Sequence, residues 1–370
     1  MSKDPWYSVT KTETLISPSL LVYPERISYN INTMLRMAGG PENLRPHIKT
    51  HKNAEIIGMQ LQKGITKFKC ATIAEAELLA NCGAPDILLA MQPVGANQER
   101  LIKLIKAYPI ITFATLVDNL VTAGELGKLA EKDNISLRLY IDLNVGMHRT
   151  GIAPGKEVLK LYTAITEHPN LESMGLHTYD GHLRNPDVAI RQVECDKAFN
   201  TVLDLKNEIL KAGLPAPILV AGGSPTFPFH CKRDNVIASP GTTLLWDAGY
   251  GGLFPEMDFL PAAILFTRII SKPKTGILCF DLGHKSIAPE MDFPRVKFLT
   301  LEHEKQIKQS EEHLVVEYDN LKIHNIGDEH YAIPMHICPT VAKYDSMLVV
   351  ENGVVTKEWK VVARNQKLTI

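Results

Sequence analysis

The sequence is short of several things at once. It has no charge of one sign to spare: its 370 residues carry 40 Lys+Arg against 41 Asp+Glu, a formal net charge of −1. That balance leaves no broad electrostatic footprint for nucleic acid or an anionic membrane. It has no uninterrupted apolar run of about twenty residues, so no membrane span is expected. The N-terminal stretch MSKDPWYSVTKTETLISPSL lacks the apolar centre of a secretory signal. Its six cysteines, Cys70, Cys82, Cys195, Cys231, Cys279 and Cys338, include no C-x-x-C pair. A chain of this length does not need disulfides to make a core, so a reducing, cytoplasmic setting is expected. No short-period repeat and no low-complexity tract is visible.

What is present points to a folded protein. Hydrophobic residues make up 45% and charged residues 22%, enough apolar side chain to bury a core. From about residue 20 to 250, short apolar runs alternate with amphipathic segments. The runs are Leu44–Thr50, Lys67–Thr72, Asp86–Met91, Ile111–Val117, Leu137–Leu143, Glu172–Tyr179, Ile218–Gly222 and Val236–Thr242. They read as strands buried on both faces, and IAEAELLANCG and NQERLIKLIKAYP read as helices between them. Eight such alternations favour a (β/α)8 TIM barrel over residues 21–255, although an open doubly wound sheet would show the same periodicity. Residues 256–370 read as a mostly-β domain with one charged, helix-like stretch near Glu302–Glu312 and a hairpin turn at ENG. Residues 1–20 are expected to join that second domain.

In a barrel the chemistry belongs at the C-terminal ends of the strands. Arg45–Lys52, RPHIKTHK, puts Lys49 at the end of the first strand, where desolvation suits an amine for Schiff-base chemistry. A solvated basic strand end is the plainer reading. HTYDGH, from His177 to His182, packs two His, a Tyr and an Asp into six residues, dense for a purely structural loop. AGGSPT exposes backbone N–H groups and hydroxyls at Gly222, Gly223, Ser224 and Thr226, a turn that suits phosphate. Many tight turns before helices look the same. In HIC, His336 and Cys338 stand at i and i+2, which on a strand would share one face and could grip a metal. A buried Cys beside a surface His would read identically. An amine, a phosphate turn and a metal pair together suggest pyridoxal 5′-phosphate (PLP).

RPHIKTHK, HTYDGHLRN, AGGSPTF, PGTTLLWDAGY and the late HIC, in this order over nearly the whole chain, resemble metal-dependent D-threonine aldolases and D-serine dehydratases. These are PLP enzymes of the alanine racemase-like fold. The resemblance implies that Lys49 carries PLP as a Schiff base and that Arg149, in NVGMHRTG, contacts its ring. It implies that His177, Tyr179 and His182 line the substrate side, with Tyr179 and His182 as catalytic candidates. Gly222, Gly223, Ser224 and Thr226 match the phosphate turn, and Gly241 and Tyr250 fall near the cofactor. His336 and Cys338 match the metal pair. A thiolate there favours zinc, with manganese the alternative divalent metal.

Some aldolases of this group carry H-x-D at the metal pair, and dehydratases share the H-x-C seen here. The YDGH-L-R loop is nearer the aldolases. The implied reaction is retro-aldol cleavage of a D-β-hydroxy-α-amino acid to glycine and an aldehyde. D-serine dehydratase is the alternative, with an amino acid racemase and a non-catalytic PLP-binding protein behind it. The implied assembly is a homodimer acting on a small D-amino acid, with no nucleic acid and no membrane as partner.

Overall fold

Strands that are apolar on both faces bury only when helices cover them on one side and other strands' side chains fill the other. The computed structural model, which describes residues 5–318 and 323–370, follows that rule. Residues 1–4 of the expected N-terminal segment lie outside the described residues. The chain forms two units, one of residues 34–49, 57–241 and 365–370, the other of residues 1–33, 50–56 and 242–364.

The chain opens with β1 (Ser19–Val22), which belongs to the second unit. The first unit then contributes β2 (Lys67–Cys70), β3 (Asp86–Leu89), β4 (Thr112–Val117), β5 (Leu137–Leu143), β6 (Leu171–Thr178), β7 (Ile218–Ala221) and β8 (Val236–Ala238). These seven are all parallel and pair in sequence order. The eighth run, Leu44–Thr50, is not a full strand. Leu44 bridges Ala238 of β8, and His47 bridges Lys69 of β2, so this segment joins the two edges of the curled sheet. Pro46 has no N–H to give to a ladder, and Ile48–Thr50 winds into a 3-10 turn. The first unit is therefore a parallel α/β barrel whose eighth position is filled by this irregular segment.

The helices begin where short polar side chains can cap them. Thr72 Oγ1 accepts from Glu75 N at 3.1 Å ahead of Ile73–Asn81, and Asn119 Oδ1 accepts from Thr122 N at 2.8 Å ahead of Leu120–Lys132. Each satisfies a donor that has no partner inside the helix. Asp187 caps the long helix Val188–Lys211 in the same way, and Gly213, at φ +73°, lets the chain leave it.

The second unit is mostly β. It adds β9 (Ala263–Ser271), β10 (Ile277–Phe280), β11 (Val296–Phe298), β12 (Glu304–Gln309), β13 (Leu314–Tyr318), β14 (Glu329–Pro334), β15 (Ser346–Glu351) and β16 (Val354–Lys360). The path runs β12-β13-β10-β9-β1-β15-β16, with β14 pairing both β9 and β11. Leu21, Ile264, Phe266, Tyr331 and Val350 make its core. Asn352 and Gly353, both at positive φ, turn β15 into β16 as a tight hairpin requires. The charged stretch near Glu302–Glu312 is not helical. It forms β12, at one end of the sheet path, where mostly exposed charged and polar side chains suit an edge strand.

Candidate active site

The barrel unit gathers its polar side chains just beyond the C-terminal ends of the parallel strands. Lys49 lies in the 3-10 turn at the end of the closing segment. Asn144, His148 and Arg149 follow β5. Tyr179 and Asp180 follow β6, Gly222 and Gly223 follow β7, and Gly241 comes shortly after β8. The half-buried Tyr179 is the common neighbour. Lys49 Nζ lies 5.7 Å from its ring centroid and the Arg149 guanidinium 4.8 Å from it. A Cβ added to Gly223 would come within 2.8 Å of the same ring, so only glycine lets the turn pass it.

The turn after β7 is built on close approach. Gly222 has φ +81°, and a Cβ there would meet His230 Cδ2 at 2.6 Å and Thr226 Oγ1 at 3.0 Å. Gly241 N donates to Ser224 Oγ at 3.2 Å, tying the ends of β7 and β8 together. Thr226 is fully buried, and its hydroxyl donates to Asp180 Oδ1 at 2.6 Å. It faces the interior side of the turn.

His177 is more buried than Tyr179 and His182. It is buried at the end of β6, with Nδ1 2.7 Å from Asp142 Oδ1 and Nε2 3.5 Å from Lys69 Nζ. Asp142 in turn accepts from Thr150 Oγ1 at 2.8 Å. Burial alone would raise the Asp142 carboxyl, but hydrogen bonds from His177 and Thr150 and the nearby Lys69 hold it below the usual range. His177 is lowered chiefly by burial. Lys69 is lowered to about 7 by burial and then by Lys49, with Asp142 opposing. His182 is exposed, with its ring against Gly146, where a Cβ would lie 2.8 Å from Nε2.

In the second unit, His336 and Cys338 do not share a strand face. β14 ends at Pro334, His336 caps the short helix Ile337–Val341, and Cys338 lies in its first turn. The two side chains still converge. His336 Nδ1 meets Glu290 Oε1 at 2.5 Å, and Cys338 Sγ lies 3.1 Å from Thr50 Oγ1 and 3.5 Å from Thr242 Oγ1. Burial pulls His336 down, yet its hydrogen bond with Cys338, the Cys338 charge, Glu290 and Asp247 together raise it to about 9. Asp247 connects this helix to the next candidate: Oδ2 accepts from Ile337 N at 3.1 Å and Oδ1 from Tyr250 N at 2.8 Å. Tyr250 packs between Trp246 and Phe254, at 5.6 and 5.4 Å.

Sequence reading missed Lys69, Asp142, His230, Cys195 and Glu290. The first had a signal, a lysine inside the apolar run KFKC. The others are scattered along the chain and only packing unites them. Asp180, Cys195 and His230 bring three atoms of metal-ligand type within 4.8 Å of one another, all buried, and such a set could hold an ion.

The residues present fit PLP and a metal. The barrel offers an amine, and a glycine turn whose narrow floor an added Cβ would fill. The second unit offers an imidazole with Nδ1 fixed by a carboxylate and a thiol beside it, the donor set of a divalent site with a supporting outer shell. The family model described as alanine racemase, N-terminal domain, matches residues 22–247, and that described as putative serine dehydratase domain matches residues 262–350. The chain is 27% identical to a 3-hydroxy-D-aspartate aldolase of Paracoccus denitrificans (strain Pd 1222) over 95% of this chain and 92% of that one. It is 24% identical to a D-threonine aldolase of Arthrobacter sp over 94% and 92%. The crystal structure of D-threonine aldolase from Filomicrobium marinum superposes with a TM-score of 0.88 at 22% identity, covering 96% of this chain and 98% of that one. D-threo-3-hydroxyaspartate dehydratase from Delftia sp. HT23 does so at 0.80 and 19%, covering 94% and 97%. The chain belongs to the alanine racemase family of PLP-dependent barrel proteins, in the group that carries a serine dehydratase domain after the barrel.

Proposed function

We propose that this protein is a metal-dependent aldolase of D-β-hydroxy-α-amino acids, breaking the Cα–Cβ bond to give glycine and an aldehyde, as D-threonine aldolases do. That it is a PLP-dependent lyase follows from its family; the bond broken and the substrate are the proposal. The observation that carries it is the Tyr179 constellation, in which an amine (Lys49), a cation (Arg149) and a glycine turn meet one ring. Three relatives aligned over more than nine-tenths of the chain, two of them from Paracoccus denitrificans and one from Arthrobacter sp, are named aldolases, whereas the Delftia dehydratase aligns by sequence over 60% of it.

When bound, PLP supplies an electron sink for the pair released at Cα, and a divalent metal supplies a Lewis acid for the β-hydroxyl. Lys49 Nζ holds the cofactor aldehyde. Gly222, Gly223, Ser224 and Gly241 supply backbone and hydroxyl groups to its phosphate, with Thr226 bracing the turn from inside. Arg149 and His177 serve the ring region, and Tyr250 is assigned to the cofactor's surroundings. His336 and Cys338 hold the metal, with zinc favoured by the thiolate and manganese the alternative. His182 takes the β-hydroxyl proton on its imidazole, and Tyr179 orients the substrate beside Lys49. The substrate is a zwitterion, which needs a few placed charges and no large field. We assign the protein to the cytoplasm as a homodimer. None of its six cysteines is in a disulfide, and among the described residues no helix is long and apolar enough to cross a membrane.

The test is direct. Protein loaded with PLP and zinc or manganese is given D-threonine, D-serine and 3-hydroxy-D-aspartate separately. Glycine with acetaldehyde from the first, or with glyoxylate from the third, is expected. Keto acid with ammonia would make it a dehydratase, and loss of optical activity alone a racemase. Lys49→Ala should remove both turnover and the visible absorption of bound PLP.

A further inference from the structure

The loop after β6 carries a buried cluster that the proposed reaction leaves unused. Asp180 is 3% exposed, and its two oxygens have different partners. Oδ2 accepts from His230 Nε2 at 2.8 Å, and Oδ1 accepts from Thr226 Oγ1 at 2.6 Å. Cys195 Sγ lies 3.4 Å from the same His230 nitrogen and 3.8 Å from Oδ2. The residue types are those of a transition-metal site, but the spacing is that of hydrogen bonds. Two ligands each about 2.0 to 2.1 Å from a tetrahedral ion stand roughly 3.3 Å apart, well beyond the 2.8 Å between imidazole and carboxylate. A guanidinium already faces the sulfur, with Arg233 Nη2 3.9 Å from Cys195 Sγ. Burial pushes the Cys195 thiol up to about 12, with Asp180 adding to it. Asp180 is held below the usual range: burial alone would raise it, and the pull and hydrogen bond of His230 with the Thr226 hydroxyl outweigh that.

Two of the cluster's contacts lead to the turn after β7. With its own proton committed to Asp180, the Thr226 oxygen accepts from Gly223 N at 3.4 Å. His230 lies directly under Gly222, where a Cβ would meet it at 2.6 Å. The floor of the turn is therefore two side chains, Thr226 and His230, both held by one carboxylate. We infer that Asp180 is a positioning residue that holds the Gly222–Gly223 turn in its phosphate-binding shape through Thr226 and His230. The inference rests on the assignment of that turn to the PLP phosphate.

A phosphate-specific brace and general structural support differ in one measurable way, because pyridoxal reaches Lys49 without using the turn. The full chain is titrated with PLP and with pyridoxal, following imine absorbance, as wild type, Asp180→Asn, His230→Leu and His230→Gln. A hydrogen bond to a charged group is worth about 1.5–3 kcal/mol. Asp180→Asn and His230→Leu are accordingly expected to weaken PLP roughly 10- to 100-fold while changing pyridoxal less than about twofold. His230→Gln keeps a donor for Asp180 and should restore most of the PLP affinity. Equal weakening of both ligands, or no change in either, overturns the brace alone. If Asp180→Asn does not fold, the His230 pair decides by the same comparison. Zinc that stays bound to a His336→Ala/Cys338→Ala variant and leaves on adding Cys195→Ala would also overturn it, in favour of a metal site. A wild type that forms no imine with PLP overturns the functional assignment together with the brace.

Discussion

Lys69 shows how one residue's burial becomes a pH dependence. Its side chain is 3% exposed in β2, in a row with His177 and Asp142. Its pKa of about 7 lies below the unfolded value near 10.4. Between those values the unfolded chain holds more protons, so the stability contributed by this group rises with pH across that window. Its cost is greatest below pH 7. Lys69→Met should therefore melt at a higher temperature than wild type at pH 6, with the difference shrinking toward pH 10. A gap that stays constant over that range would contradict the argument. At Gly222 the constraint is steric. Gly222→Ala puts a Cβ at φ +81° against the His230 ring, and an L side chain in that region costs about 1–2 kcal/mol before any clash. PLP titration of that variant should show affinity lowered by at least about tenfold.

At the scale of elements, the closing segment decides whether the curled sheet is a barrel. Arg45, 2% exposed, reaches across to Asp86 with two hydrogen bonds of 2.7 and 2.9 Å. Removing one member of a buried pair leaves the other charge unpaired, which costs about 3 kcal/mol or more. Asp86 keeps some water contact, so Arg45→Met should fall near the lower end in urea unfolding. The metal pair makes a second case. The expected i, i+2 strand face does not exist, because Pro334 ends β14 and a helix starts at His336. His336→Ala and Cys338→Ala should each abolish metal-stimulated turnover while leaving the PLP absorption band intact. Activity that persists without metal in both variants would remove the pair from the mechanism. Most of the parallel strands were legible because they are short, mainly apolar runs between amphipathic segments, a pattern that survives any register. The segment Leu44–Thr50 misled because Arg45, Pro46 and His47 sit among apolar residues, and the proline cannot complete a ladder.

For the molecule as a whole, buried groups make the fold sensitive to acid. His51 is fully buried, and burial with the adjacent Lys52 lowers it to about 3, against an ordinary value near 6.5. The unfolded chain then binds more protons from about pH 6.5 down to about 3, so stability falls as pH falls through that window. Asp142 and Asp180, both held below the carboxylate range, add a further loss below about pH 4. Wild type should begin to lose melting temperature below about pH 6.5, and His51→Gln should lose less of it between about pH 6.5 and 4.5, the remainder coming from His177, which burial also lowers. Coincident curves would remove His51 as the cause.

The sequence by itself determined the class of fold and the neighbourhood of the chemistry. Strand and helix periods are local, and a barrel's active end is set by strand direction, so polar residues after each apolar run already mark the rim. Only the tertiary structure decided which of them meet. It brought Lys69 to His177, and Asp180 to His230 fifty residues away. It also made Thr226 a support inside the turn. Those pairings depend on how strands pack side by side, and no local spacing encodes that. The near-zero net charge excluded a bulk electrostatic partner, while burial and contact selected the few charges that matter.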